Sequence, residues 1–295
     1  MAFESHSRAA GTRRVTGDLA SSYAHCAAQL RAEDHDAWLA ALFAPAAARP
    51  HLHALGAFVL EIGHVRERVS QSIAGEIRLH WWQDVVDGER TAEAAAHPVA
   101  AALVDTIARC SLPAAPIGDM LDAQRLALYD EPPVDTPVLD RRLAATHGTP
   151  IRLAARVLGG GPAIDQAAED AGVALGIVAL LRDLGREGLS RRVLPADLLA
   201  RHGSSRAEVD AGRATPALSL VLADLRVAAR MRLSALRDRR AYLGPAGSAF
   251  LKTALVEPWL ALDEKRPDPF SRGRDLHAWR RQWRIWRAAR NGGVA

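Results

Sequence analysis

The stretch GVALGIVALLRDLGREGLSRRVLPADLL, residues 172–199, decides the fold. It begins with small and aliphatic residues and continues with acids and then arginines. On the helical period of about 3.6 residues, one face carries small residues followed by two acids one turn apart: Gly172, Gly176, Ala179, Asp183 and Glu187. This pattern predicts a helix that lines an apolar groove and places a metal or charge site at its mouth.

The composition favours helices along all 295 residues. Hydrophobic residues make up 49% of the chain and aromatic residues 5%, Ala and Leu dominate, and alternating β-branched residues are nearly absent. We expect one all-α domain over residues 23–295, a helical bundle preceded by a flexible arm over residues 1–22. Prolines divide the chain into helices near 33–43, 50–70, 75–88, 97–110, 117–129, 137–158, 163–187, 196–202, 216–241, 245–263 and 274–290.

Charge and cysteine content exclude several classes of function. The chain has 38 Lys+Arg and 34 Asp+Glu, and this excess of +4 is small for a nucleic-acid-binding protein of this length. Cys26 and Cys110 lie far apart and match no metal-binding spacing. No apolar run approaches the roughly 20 residues of a membrane span, and the start lacks a secretory signal. We therefore expect a cytoplasmic protein without a nucleic-acid partner, and any contact with a membrane would be peripheral.

A second informative segment, residues 54–88, reads ALGAFVLEIGHVRERVSQSIAGEIRLHWWQDVVDG and predicts two consecutive helices. Each has an apolar stripe and a polar stripe. The predicted buried residues are Phe58, Ile62, Val65 and Val69 in the first helix and Ile77, Trp81 and Val85 in the second. The polar stripes either face water or face each other across a site, and the sequence leaves both arrangements open.

These segments, together with ATHGTPIRLAARVLGG and DLHAWRRQWRIWRAAR, resemble the squalene/phytoene synthase family in order and approximate spacing over residues 35–290. The resemblance implies an all-α isoprenoid-synthase fold with a central cavity. It also implies descent from enzymes that join two prenyl diphosphates. Those enzymes hold Mg²⁺, which stabilises the departing diphosphate, between two acidic motifs on opposing helices.

The resemblance also predicts the metal ligands and shows departures from the family pattern. In the second acidic motif, Asp183 and Glu187 keep the first and last acids. The first motif corresponds to Gly63, His64 and Glu67, so Glu67 is the one acid that remains there. If the protein is catalytically active, the resemblance implies that Asp183, Glu187 and Glu67 hold Mg²⁺. A glycine provides no side-chain ligand, and a neutral imidazole prefers softer metals than Mg²⁺.

Four further residues are candidates for substrate binding: Arg78, Trp82, Arg182 and Arg191. The arginines are able to bind a diphosphate through forked hydrogen bonds. They are equally able to pair with nearby acids, for which Glu76, Asp183 and Glu187 are the candidates. One ring of the Trp81–Trp82 pair is expected in the core and the other at the cavity.

Two functions remain open from the sequence. The altered acidic motif and the GEIRL-x-WW helix resemble a divergent branch that includes a mitochondrial complex I assembly factor. This branch implies a prenyl-diphosphate-like cavity, weak or absent Mg²⁺-dependent prenyl transfer, and a protein partner in respiratory complex assembly. The alternative is an active prenyltransferase of squalene, carotenoid or hopanoid biosynthesis. The ligand is an isoprenyl diphosphate or a similar lipid in either case.

The C-terminal segment 274–290 is amphipathic and also allows two interpretations. Its apolar residues Leu276, Trp279, Trp283 and Trp286 recur at helical spacing beside the cationic residues Arg280, Arg284 and Arg287. Trp and Arg together suit an anionic membrane surface or a protein partner. The same tryptophans suit a final helix that packs on the bundle.

Overall fold

A computed structural model describes residues 4–69, 71–129, 131–185, 194–271 and 275–294, with side chains from residue 19 onward. Helices and connecting turns make up the described part of the chain, which contains no β-strand. The predicted all-α fold class is therefore confirmed.

Most of the predicted segments form helices. The α-helices are α1 (Glu4–Glu33), α2 (His35–Ala41), α3 (Arg49–Gly63), α4 (Val65–Arg68), α5 (Ser72–Asp87), α6 (Thr91–Ala96), α7 (Pro98–Cys110), α8 (Ala114–Leu128), α9 (Thr136–Leu143), α10 (Thr149–Val157), α11 (Asp165–Asp183), α12 (Ala196–Arg201), α13 (Arg206–Asp210), α14 (Pro216–Asp238), α15 (Val256–Glu264) and α16 (Ala278–Arg290). A π-helical turn, Ala144–Gly148, joins α9 to α10, and 3₁₀ helices span Pro162–Ile164, Arg240–Tyr242 and Gly244–Leu255.

Proline and glycine explain several helix ends. Pro98 and Pro216 are the first residues of α7 and α14, where the missing N–H costs nothing. Gly88 has φ of 83° and ends α5 in the left-handed conformation. The single helix expected over 137–158 is interrupted by the π-helical turn, and α10 restarts with Pro150 in its first turn.

Two hydrophobic clusters form the core. The first lies around α11, α14, α15 and the 3₁₀ helix Gly244–Leu255. The second lies among α1, α3, α5, α7 and α8. As expected, Phe58, Ile62 and Val65 are buried in α3 and α4. In α5 Val85 is buried as expected. The expectations for Ile77 and Trp81 are wrong, because Ile77 is exposed and Trp81 is half-buried, and Leu79 and Trp82 are buried instead.

The N-terminal helix α1 lies before the first helix that the sequence predicted, which begins near residue 33. Its backbone is continuous from Glu4 to Glu33 and therefore includes most of the segment expected to be an arm. From residue 19 onward α1 joins the bundle: Cys26 and Leu30 are buried, and Tyr23 Oη donates a 2.8 Å hydrogen bond to Asp105 of α7. The division into an arm and one domain stays a prediction.

Candidate functional site

The glycines of α11 permit close packing of backbone on backbone. A Cβ atom on Gly172 would lie 2.2 Å from Cα and N of Gly148 in the π-helical turn. A Cβ on Gly176 would lie 2.8 Å from the side chains of His147 and Leu143. These two glycines therefore allow α11 to pack closely against the turn. The sequence predicted that they line a groove, and this expectation is wrong.

A cavity of about 520 Å³ lies farther along α11, where the two core clusters meet. Helix α11 contributes Leu175, Val178, Ala179 and Arg182 to its wall. The remaining apolar wall comes mainly from α2, α3 and α10, with Ala37, Ala40, Leu52, Leu55, Val59, Leu60, Ile151 and Ala154. An apolar cavity beside the end of α11 agrees with the predicted central cavity.

Charged side chains also line this cavity, and they form ion pairs. Lys252 Nζ lies 2.6 Å from Asp34 Oδ2. Arg281 Nε of α16 lies 3.0 Å from Asp36 Oδ2. Burial alone would raise the pKa of Asp34, but Lys252 and a hydrogen bond from the Ala37 amide hold that pKa below its usual value.

Of the predicted site residues that the structure describes, Arg182 lies in the cavity wall. Its guanidinium lies 3.7 Å from the ring centroid of Trp259, and its Nη2 donates a 3.1 Å hydrogen bond to Asp275. The side chain is still partly exposed. A guanidinium held over an aromatic face is oriented, because cation–π attraction fixes its plane while its other donors stay available.

His147 of the π-helical turn also faces the cavity. Burial, with a smaller contribution from the charge of Lys252, lowers the pKa of this histidine from 6.5 to about 4. The imidazole is therefore neutral at pH 7.

The region of the first acidic motif is an ion-pair cluster. His64 Nδ1 lies 3.3 Å from Glu33 Oε2. The guanidiniums of Arg68 and Arg78 lie 3.7 and 3.9 Å from Glu61 Oε2. The acid beside Arg78 is thus Glu61, and the sequence had suggested Glu76.

The other predicted residues take different positions. Glu67 lies on the short helix α4 and is exposed, and Asp183 is the half-buried last residue of α11. Trp82 is buried in the second core cluster, edge-on to Phe58, and is not part of the cavity wall. Glu187 and Arg191 lie outside the described residues. The roles of all these residues stay predictions.

Two observations concern metals and membranes. Within the described ranges, no three His, Cys, Asp or Glu side chains converge as a metal site requires. No described helix is both long and apolar enough to cross a bilayer.

Sequence reasoning missed Asp34, Asp36, His147 and Lys252. Lys252 carried a usable signal, because it is one of two lysines in an arginine-rich chain and interrupts the apolar run AFLKTALV. The two aspartates gave no such signal, since acids at the start of a helix are ordinary caps. Asp34 indeed caps α2 by accepting a 3.0 Å hydrogen bond from Ala37 N.

An all-α bundle with a cavity beside the end of a central helix defines the isoprenoid-synthase class of fold. The family model for squalene/phytoene synthase matches residues 30–287, so the chain belongs to this family.

The chain is similar to two kinds of protein, a complex I assembly factor and a phytoene synthase. Over 239 residues the chain is 28% identical to the human NADH dehydrogenase (ubiquinone) complex I, assembly factor 6, covering 80% of this chain and 72% of that protein. It is 34% identical to a phytoene synthase of Thermus thermophilus over 140 residues, which is 45% of this chain and 47% of that enzyme.

Solved structures support the same fold. A dehydrosqualene synthase in complex with ligand superposes with a TM-score of 0.81 and 15% identity, covering 94% of this chain and 98% of that one. A squalene synthase from Alicyclobacillus acidocaldarius superposes with a TM-score of 0.67 and 18% identity, covering 95% and 99%. The predicted fold and family are confirmed.

Proposed function

We propose that this protein binds an isoprenyl diphosphate or a similar lipid in its central cavity. We further propose that it acts with a protein partner in respiratory complex assembly, with weak or absent prenyl transfer. The observation that carries the proposal is the cavity of about 520 Å³, apolar along most of its wall and lined by three cations, Arg182, Lys252 and Arg281.

The cavity suits a ligand with a long apolar part and an anionic head. Aliphatic side chains along the wall remove the apolar part from water, at about 25 cal/mol for each Å² buried. The cations already have carboxylate partners in Asp275, Asp34 and Asp36. An anionic head can exchange with these carboxylates for the same donors.

Two observations favour weak catalysis. The first acidic motif has Gly63 and His64 at two of its three acid positions, and the guanidinium of Arg68 lies within 4.0 Å of both nearby acids, Glu33 and Glu61. A carboxylate beside a guanidinium is a poorer Mg²⁺ ligand because the cations repel each other. The similarity to complex I assembly factor 6 over most of the chain favours an assembly role.

The alternative function is prenyl transfer. The similarity to the Thermus thermophilus phytoene synthase favours it. In that case Mg²⁺ would act as the Lewis acid for diphosphate departure, and Asp183, Glu187 and Glu67 are the residues that would hold it. Arg182 would orient the diphosphate from its position over Trp259.

One experiment separates binding from catalysis. Purified protein is titrated with farnesyl and geranylgeranyl diphosphates in a calorimeter, and pyrophosphate release is measured with and without Mg²⁺. We expect binding without sustained release. Ala179→Phe projects a ring into the cavity and should abolish binding, whereas Ala95→Phe on exposed α6 should not. Robust Mg²⁺-dependent release that is lost in Asp183→Ala would establish the transferase instead.

The assembly role needs its own test. A strain that lacks the gene is complemented with the wild type or with Ala179→Phe, and the NADH dehydrogenase activity of its membranes is measured. Restoration by the wild type supports the assembly role. Unchanged activity in the deletion strain contradicts it.

A further inference from the structure

Three tryptophans of α16 point away from the bundle. Trp279, Trp283 and Trp286 are 63%, 48% and 44% exposed. Of the two interpretations that the sequence left open, the exposed tryptophans disfavour packing on the bundle, and Ile285 and Ala288 form the buried side of this helix. At 100° per residue the three indoles fall within an arc of about 60°, roughly opposite those two residues.

The exposed side of α16 is strongly cationic. Arg280, Arg284, Arg287 and Arg290 are all exposed, and the helix contains no acid. Three of these arginines lie over the tryptophans: the guanidinium of Arg280 is 5.2 Å from the Trp279 ring, that of Arg287 is 5.5 Å from Trp283, and that of Arg290 is 5.0 Å from Trp286. Aromatic rings and positive charge thus share one surface.

We propose that this face of α16 docks on an anionic lipid bilayer, with the helix lying in the plane of the membrane surface. Indole rings favour the zone between the headgroups and the acyl chains, because their faces are apolar and their N–H groups donate hydrogen bonds. Guanidiniums just beside them reach the lipid phosphates. This face carries aromatic rings and positive charges but no acid, so it complements a uniformly negative surface. An anionic bilayer is such a surface, whereas the surface of a folded protein usually carries charges of both signs, and we therefore assign the bilayer as the partner.

Helix α16 lies next to the cavity, so docking of α16 on a membrane would also place the cavity near that membrane. The helix packs against α2 and the 3₁₀ helix Gly244–Leu255, and both elements line the cavity. On the inner edge of α16, Arg281 lines the cavity and pairs with Asp36. Docking therefore brings the cavity wall close to the membrane surface, where a long-chain ligand would be found. This consequence rests on the proposed function, whereas the docking does not.

Vesicle flotation tests the docking directly. The full chain is mixed with vesicles of pure phosphatidylcholine, or of phosphatidylcholine and phosphatidylglycerol at 3:1, at low and high salt. We expect flotation with the anionic vesicles at low salt, and much weaker flotation with neutral vesicles or at high salt. Failure to float with anionic vesicles at low salt overturns the proposal and leaves a protein partner for this face.

Two variants separate the contributions of rings and charges. Replacing Trp279, Trp283 and Trp286 together by Ala should abolish flotation. Replacing Arg280, Arg284 and Arg287 together by Gln should weaken the affinity on the order of 100-fold, since each arginine near an anionic surface contributes about fivefold. Flotation of either variant equal to that of the wild type overturns the proposal.

Matched controls exclude general effects of lost apolar area or charge. For the rings, the control replaces three exposed apolar residues of α14 by Ala: Leu220, Val227 and Met231. For the charges, it replaces three exposed arginines elsewhere by Gln: Arg141, Arg201 and Arg213. Both controls should float like the wild type, and loss of flotation in them contradicts the assignment to α16. Circular dichroism and thermal unfolding verify that every variant folds. Because no prenyl ligand is present, the result does not depend on the proposed function.

Discussion

Gly172 is a position where a single added methyl group should be strongly destabilising. Its Cβ would lie 2.2 Å from backbone atoms of Gly148, and backbone cannot rotate out of the way as a side chain can. We expect Gly172→Ala to lower the free energy of unfolding by about 3 kcal/mol, because α11 must move away from the π-helical turn. Urea unfolding measures this change.

Gly63 provides the matched control within a helix. It is the last residue of α3, and a Cβ there would meet nothing within 4 Å. Gly63→Ala should therefore leave the stability unchanged or raise it by up to about 1 kcal/mol, since alanine restricts the unfolded chain. Equal effects of the two substitutions would show that the close approach at Gly172 does not limit stability.

His147 should make stability depend on pH in a defined window. In the folded protein its pKa is lowered to about 4, while in the unfolded chain it is near 6.5. Between these values the unfolded state binds more protons, so the free energy of unfolding falls as the pH falls from about 6.5 to about 4. The loss attributable to this residue is at most about 3 kcal/mol.

Urea unfolding at pH 5 and pH 7 measures that dependence. His147→Asn removes one titrating group and should reduce the difference between the two pH values; burial also lowers the pKa values of His51, His53 and His97, so part of the difference should persist. A wild-type stability that rises towards pH 5 would contradict the prediction.

At the scale of elements, α11 is attached to its neighbours by a buried carboxylate. Asp170 is 2% exposed and accepts hydrogen bonds of 2.9 Å from Arg232 of α14 and of 3.1 Å from Arg239, the residue that follows α14. Arg232 also donates to Asp140 of α9. Arg232 thus joins α14 to α11 and α9, and the charge of Asp170 is needed because two guanidiniums face it.

Asp170→Asn should consequently destabilise the protein by about 2 kcal/mol. The value is set below that of a fully buried pair, because both arginines stay partly exposed to solvent. Asp122→Asn on α8 removes an acid from an exposed pair with Arg125 and should change stability by less than about 0.5 kcal/mol. Chemical unfolding compares the two variants, and similar losses would contradict a special role for Asp170.

The helices were predictable because periodicity and proline act locally. Phe58 and Ile62 fall on the buried face that their spacing indicates. What packs against a helix face depends on contacts between residues distant in sequence, however, and the spacing of residues along one helix does not define those contacts. A helix face of glycines is compatible with a groove and also with close packing against another element. The position of Gly148 against Gly172 shows that close packing is the correct interpretation here. In α16 the tryptophan spacing indicated an apolar face but left open whether that face is buried, and the structure buries Ile285 and Ala288.

The candidate site was less predictable than the fold for the same reason. Arg182 directly follows the apolar run of α11 in the sequence, and for this reason its position at the cavity was predictable. Lys252 and Asp34 meet across 218 residues, and neither belongs to a motif. Cavity charges of this kind arise from the packing of α2 against the 3₁₀ helix Gly244–Leu255, which local patterns do not encode.

At the scale of the whole molecule, the cavity lies between the two hydrophobic clusters. Its wall takes Leu55 from the second cluster and Val178 and Leu255 from the first. A ligand in the cavity contacts both clusters at once, so it should stabilise the folded chain as a unit. At a ligand concentration 100 times Kd the gain is about 2.7 kcal/mol, which for a chain of this size raises Tm by about 5 °C.

Thermal unfolding with geranylgeranyl diphosphate measures this stabilisation without requiring turnover. The wild type should show a single transition that moves to higher temperature as ligand is added. Ala179→Phe should show no shift, because its side chain occupies the space that the ligand needs, while Ala95→Phe should shift like the wild type. A ligand that raises the transition of Ala179→Phe as much as that of the wild type binds elsewhere on the molecule. That result would remove the cavity from the proposed function and leave the membrane face of α16 unaffected.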